Sequence, residues 1–430
     1  MGSRVRDRSA LNAVLTIEKL VPGGAGFARL PDGRPVFVDG ALPGDCVRVR
    51  TQLDKKSFVE ATSFELVTPS AERVTPPCSI AEACGGCVLM GLPYAEQLRQ
   101  KGLLVAEALA RTGGIRLDAP PPVVSAGEPL GYRLRVRLHV DPGGRVGFFA
   151  RRSQLLVEAP SCVVLHPELE PLLAAIRSLD SGPKRALGTH FSAIDLRLVP
   201  EGGGVELELV PRRDKAASGG AVEGLVAALA EHARVGAGGG QRAGLRRYPL
   251  ESGGFLRVPA GAFTQVNWAV NAVLIAEVTK GAAARGARTF LDLYAGVGNF
   301  SVPLARAGLT GTAVELDRTA TAALREALRE QSLGSVAVLE GDVAELLTKR
   351  RFEPADLVLL DPPRSGAKAA LGPLVKLKPR SIAYVACDPV TLARDLRVLT
   401  GAGYTLARVT CFDMFPETHH VETLAWLDAP

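Results

Sequence analysis

The sequence predicts a carboxyl-terminal α/β domain of the open, doubly wound type, preceded by a small β-barrel and a β-rich central segment. Three observations carry that expectation. From about residue 256, strand-like runs alternate with helix-like ones, the pattern of a parallel sheet covered on both faces. Residues 11 to 66 read instead as short strands broken by Gly and Pro turns, as in small barrels. Finally, 430 residues, 47% of them hydrophobic, exceed what one core usually serves. We place the divisions at 1–70, 71–255 and 256–430.

Composition narrows the function classes. A formal net charge of +6 suits a polyanionic partner. The amino terminus, MGSRVRDRSALNAVL, lacks an apolar core with a small-residue cleavage site, and no later run has the roughly 18 apolar residues of a membrane span. A cytoplasmic protein with no membrane association is expected. Seven cysteines, an odd number in a long chain, argue against a disulfide framework and for metal, cluster or catalytic uses.

The first segment contains AVLTIEKLV, GAGFARL, RPVFVDG, CVRVRTQL and SFVEATSFELV. With LPGD at 42–45 and PSAERV at 69–74 closing it, the segment resembles a TRAM domain, an RNA-binding barrel of the OB type.

Next comes CSIAEACGGC, with Cys78, Cys84 and Cys87, and a candidate fourth partner, Cys162, in APSCVVLHP. Zinc and an iron–sulfur cluster are both chemically open. Three cysteines in one run with a fourth elsewhere favours a cluster, since zinc usually takes paired Cys-x-x-Cys knuckles. Gly85 and Gly86 let the backbone wrap closely. Cys162 can also be read as an ordinary buried thiol.

A helix over 93–113, packed on the last domain, leads into the strand YRLRVRLHV at 132–140. There Tyr132, Leu134, Val136, Leu138 and Val140 share one face, and Arg133, Arg135, Arg137 and His139 the other. Such an arginine stripe, with Arg145, Arg151 and Arg152 nearby, fits a phosphate backbone; a merely solvated face is the plainer reading. The Gly-rich run 235–244 reads as a loop.

In the last domain, TFLDLYAGVGNFSVPLARAG at 289–308 is a strand, a glycine turn and a helix. Asp292 ends the strand, and Gly296 and Gly298 allow a ligand to approach closely. Glu315 in GTAVELD stands where such folds hold ribose hydroxyls, and Asp342 in VLEGDV and Asp361 in ADLVLLDPPRSG follow at later strand ends. Four acids at successive strand ends is the layout of an S-adenosylmethionine site. A nicotinamide site is the rival, but the third glycine of the dinucleotide fingerprint is missing, since Phe300 and Ser301 follow Asn299.

Cys387, in AYVACDPVTL, stands at a strand end facing the same crevice. Alone it would read as a small buried residue; beside a methyl donor it reads as a nucleophile. A thiolate adding to carbon 6 of uracil makes carbon 5 an enolate able to take a methyl group, after which a base must remove the carbon 5 proton. CFDMFPETHHVETLAWL at 411–427 offers Glu422, His419 and His420 for that step. Cys411 is read as core.

Together GAFTQVN at 261–267, LDLYAGVGNFS, DPPRSG, YVACDP and MFPETHHVET resemble the RNA uracil-C5 methyltransferase family, over nearly the whole chain. The resemblance implies a Rossmann-like class I methyltransferase domain and S-adenosylmethionine contacts from Gln265, Tyr294, Glu315 and Asp361, with Asn299 and Asp342 as further lining. It implies Cys387 as nucleophile and selects Glu422 as base. The TRAM-like barrel and the cysteines are similar to the branch that methylates 23S ribosomal RNA and carries a 4Fe-4S cluster on Cys78, Cys84, Cys87 and Cys162. Alternatives are a tRNA-specific enzyme or a non-catalytic iron–sulfur RNA-binding protein. No obligate protein partner is inferred. The target uridine is expected to leave its stack to reach Cys387.

Overall fold

The computed structural model describes residues 6–7, 14–55, 57–213, 219–237 and 244–430. The start of the first expected barrel strand and most of the Gly-rich run lie outside these; residues 235–237 of that run are the end of a strand, Arg234–Ala237.

Seven strands between Arg6 and Thr68, two of them long, form one sheet around Leu15, Ile17, Val36, Val38, Val47, Val49 and Val59. Asp45 is fully buried and closes it. One of its carboxylate oxygens accepts from Leu42 N at 2.7 Å, the other from Ser70 N at 3.0 Å, and Arg73 donates to both. A buried charge needs that degree of partnering.

The central segment builds a six-stranded sheet whose middle strands are Arg135–Val140, Phe191–Val199 and Gly204–Pro211, packed by helices Glu170–Arg177, Ser181–His190 and Gly220–Ala230. Tyr132, Leu134, Val136, Leu138 and Val140 are buried, as the period of two requires.

The carboxyl-terminal sheet has β1 (Thr289–Leu293), β2 (Thr310–Glu315), β3 (Val336–Glu340), β4 (Leu357–Leu360), β5 (Ser381–Ala386), β6 (Thr405–Phe412) and β7 (Glu422–Asp428). Their spatial order is β3-β2-β1-β4-β5-β7-β6, with β7 antiparallel to β5 and β6, and the order reverses between β1 and β4. Val123–Val124, from the central segment, adds an eighth strand beside β6. Side chains alternate between two apolar clusters. Phe290, Leu359, Val385 and Leu424 enter one, while Leu291, Leu360, Tyr384 and Ala425 enter the other.

The helix Tyr94–Ala108 packs beside the helix Pro389–Gly401, sharing a cluster through Val105, Ala108, Leu392, Ala393 and Leu396. Among the described residues no helix is long and apolar enough to cross a membrane.

Candidate active site

The sheet alternation fixes where the reactive groups fall. Asp292 shares its face with Phe290. Continuing the same period places Asp361 with Leu359, Cys387 with Val385 and Glu422 with Leu424, all on one face. β1, β4 and β5 run parallel and β7 runs against them, so the carboxyl ends of the first three lie beside the amino end of β7. Ala386 pairs with Thr423 across β5 and β7. The next position on each strand is Cys387 and Glu422.

Cys387 sits between a strand and a helix for a local reason. Asp388 caps the helix that follows, its Oδ1 accepting from Val390 N at 3.0 Å and Thr391 N at 2.7 Å, and Pro389 opens the first turn. Burial pushes the half-buried thiol up to about 11; the Glu422 charge adds to this and Arg364 opposes it. Glu422 is buried, and its carboxyl lies well above the usual carboxylate range, through burial and then through Asp361, again with Arg364 opposing. A raised carboxyl is the stronger base. His420 is the reverse: burial, then His419, drive it down to about 3, which leaves a feeble base.

The strand-end acids expected beside the cofactor divide by environment. Asp292 is fully buried, accepts from Ser301 Oγ at 2.5 Å, and is pushed up to about 7 by burial; its Oδ1 has no hydrogen-bond partner among the described residues. Asp361 rises to about 7 through burial and the neighbouring Asp292. Glu315 accepts from Gly296 N at 2.9 Å and from Asp317 N at 2.7 Å, fixing the turn above β1. Within that turn Tyr294 has a left-handed φ of 66°, and at Gly298 (φ 93°) a Cβ would lie 2.4 Å from a Leu324 methyl. Gln265 is buried, Tyr294 half-buried, and Asp342 exposed as the cap of the helix Val343–Lys349. Asn299 is engaged with Asn271, each amide donating to the other at 2.9 Å.

Sequence reasoning missed the groups that shape these positions. Tyr384 Oη donates to Asp395 at 2.7 Å, and Ala367 N donates to the same carboxylate at 2.8 Å, which fastens the loop carrying Asp361 and Arg364. Arg364 lies inside the DPPRSG run already singled out and acts on Cys387 and Glu422 and, together with Lys101, on both histidines.

The arginine stripe is divided. The strand begins at Arg135, not Tyr132. Arg137 is held by Asp195 at 2.7 and 2.6 Å, and Arg133 donates to the Arg135 carbonyl at 2.9 Å. Arg135 lies 5.8 Å from the ring of exposed Phe263.

Cys78, Cys84, Cys87 and Cys162 come within electrostatic reach of one another. Burial raises Cys87 to about 12, with Cys162 and Cys84 adding, and Cys162 to about 11, with Cys78 adding. Among the described residues no group of three or more His, Cys, Asp or Glu is disposed to hold a single metal ion. Cys411 is fully buried in β6.

Residues 253–429 match the family described as tRNA (Uracil-5-)-methyltransferase, and residues 14–63 match the TRAM domain. The chain is 36% identical to the 23S rRNA (uracil(1939)-C(5))-methyltransferase RlmD of Chromohalobacter salexigens, covering 99% of this chain and 91% of that protein. The same identity holds with the protein of that name from Pseudomonas putida, over 96% of this chain and 93% of the other. Among solved structures, Pyrococcus abyssi tRNA (uracil-54, C5)-methyltransferase in complex with S-adenosyl-L-homocysteine shares the fold, with a TM-score of 0.73 at 21% identity over 96% of this chain and 100% of that one. With such identity sustained along nearly its full length, the chain belongs to the RNA uracil-C5 methyltransferase family.

Proposed function

We propose that the protein methylates carbon 5 of a specific uridine in 23S rRNA, with Cys387 as nucleophile and Glu422 as base. The relatives that are 36% identical over nearly the whole chain carry that substrate in their names, which favours ribosomal over transfer RNA. The observation that carries the mechanism is the register of β5 and β7, which brings Cys387 and Glu422 to adjacent ends.

Cys387 Sγ bonds to carbon 6, and carbon 5, now nucleophilic, takes the methyl group. S-adenosylmethionine supplies that group. Glu422 then accepts the carbon 5 proton, the electron pair of that bond restores the ring double bond, and the carbon–sulfur bond breaks to release the thiolate. Glu315, Asp361, Gln265 and Tyr294 would hold the donor, with Asp342 at the rim. Asn299 would be further lining, its amide already paired with that of Asn271. A domain that had lost catalysis would have no need of both Cys387 and Glu422.

The test is covalent trapping. A 23S rRNA fragment with 5-fluorouridine at the target should give a denaturant-stable adduct with the wild-type protein and none with Cys387→Ala, and 5-methyluridine mapped in a deletion strain should be missing from ribosomal RNA. Loss from tRNA alone would move the substrate to tRNA.

We also infer a 4Fe-4S cluster on Cys78, Cys84, Cys87 and Cys162. A zinc site needs all its sulfurs at about 2.3 Å from one ion, whereas a four-iron body is larger and accepts thiolates set further apart. The gathered thiols suit the second case. Such a cluster would cross-link two distant segments of the central chain. Anaerobically purified protein should contain iron and acid-labile sulfide; zinc without iron would overturn this.

A further inference from the structure

The loop from β6 to β7 ends at Glu422, and its course is set from outside the sheet. Lys101 and Asp413 form an ion pair with both side chains fully buried. Lys101 Nζ also donates to the Phe415 carbonyl at 2.9 Å, and Tyr94 Oη donates to the second oxygen of Asp413 at 2.7 Å. One turn before Lys101, Gln97 donates to the Glu417 carboxylate at 2.9 Å and accepts from Glu417 N at 3.1 Å. Glu417 has a left-handed φ of 69°, a conformation a non-glycine residue keeps only when its surroundings impose it. Its carbonyl accepts from Leu89 N at 3.0 Å, two residues past Cys87. The helix Tyr94–Ala108 and the cysteine-bearing segment therefore grip this loop at residues 413, 415 and 417.

A lysine and an aspartate wholly removed from water are a poor source of stability, because desolvation offsets their attraction and apolar residues of like size serve as well. Directional bonds give something packing does not, a single defined path for the backbone. Here that path delivers one carboxylate to the strand end.

We propose that Lys101 is a positioning residue for Glu422, fixing Asp413 and the Phe415 carbonyl so that the 413–421 loop sets the carboxylate beside Cys387. This rests on the reading of Glu422 as base. Addition of Cys387 and uptake of the methyl group do not need the base; release of the product does. A displaced loop therefore lets the methylated adduct form and delays its breakdown.

The test uses full-length Lys101→Met and Tyr94→Phe with in vitro transcribed 23S rRNA and S-adenosylmethionine, with turnover and denaturant-stable adduct measured separately. Lys101→Met should turn over about tenfold more slowly, with several-fold more adduct at steady state and an unchanged KM for the donor. Tyr94→Phe, which removes one hydroxyl and leaves the ion pair, should show the same pattern more weakly. General loosening would lower adduct and turnover together, and that result in both variants, or wild-type behaviour in both, would overturn the proposal. Glu422→Gln run in parallel separates the two claims: an adduct trapped there but not in the Lys101 and Tyr94 variants sinks only the positioning role. No adduct in Glu422→Gln removes the base itself.

Discussion

Cys387 and Glu422 stand one rung beyond the Ala386–Thr423 pair, so the charge on the carboxylate bears on the thiol. Burial does most to hold Cys387 up at about 11, and Glu422 adds to it. Glu422→Gln should therefore move thiol reactivity and catalysis in opposite directions. At pH 9, alkylation of Cys387 by iodoacetamide, followed by peptide mass spectrometry, should become several-fold faster. Turnover should fall by roughly 10²–10⁴, the usual worth of a general base. Slower alkylation would dissolve the electrostatic link.

Arg364 works the other way, favouring the ionised forms of both Cys387 and Glu422. In the proposed mechanism both groups act deprotonated, so the rate should rise with pH. Arg364→Ala should displace that rise toward higher pH, while Arg364→Lys should restore most of it. An unshifted profile in the alanine variant would deny Arg364 this influence.

Asp292 gives a stability prediction with a definite sign. Its carboxyl is pushed up to about 7 in the fold, against roughly 3.9 in an unfolded chain. Between those values the folded chain keeps a proton the unfolded chain has released. The stability linked to this group is thus complete below about 4 and lost as pH rises toward about 7. Asp292→Asn carries no such charge, so its advantage over wild type should widen between pH 5 and pH 8, by on the order of 2 kcal/mol. Urea midpoints at the two pH values measure it; a constant difference would refute it.

Glu315 sets one carboxylate oxygen on the glycine turn, at Gly296 N, and the other on Asp317 N just past its own strand. Glu315→Gln keeps the shape but loses one acceptor and the charge. S-adenosylmethionine should bind about tenfold more weakly by calorimetry, about 1.4 kcal/mol, with RNA affinity unchanged. Equal donor affinity would take Glu315 out of the cofactor site.

What the sequence made legible was local. Strand, turn and helix follow one another along the chain, so Asp292, Glu315 and Asp361 could be placed at strand ends and Asp342 at the helix start after β3, and Asp388-Pro389 marks the helix start after Cys387. What stayed hidden depends on contacts across hundreds of residues. Lys101 meets Asp413 at a separation of 312 positions, and nothing in either neighbourhood announces the other. A trace of it was present: Gln97, Gln100 and Lys101 lie on the same buried stripe as Leu104, Val105 and Ala108, where polar residues need a partner. Arg137 looked free because its carboxylate, Asp195, arrives on a neighbouring strand 58 residues later. The edge strand Val123–Val124 is two residues long, too short for any period to show.

That two-residue strand has a practical bearing. Cys411 N and Asp413 N donate to Pro122 O and Val124 O at 2.9 and 2.8 Å, so the outer rim of β6 is capped by chain lying far upstream of residue 253, where the family match begins. A recombinant fragment cut at that boundary would present a bare strand rim, a template for intermolecular pairing. Expression designs that start before Pro122 avoid creating it.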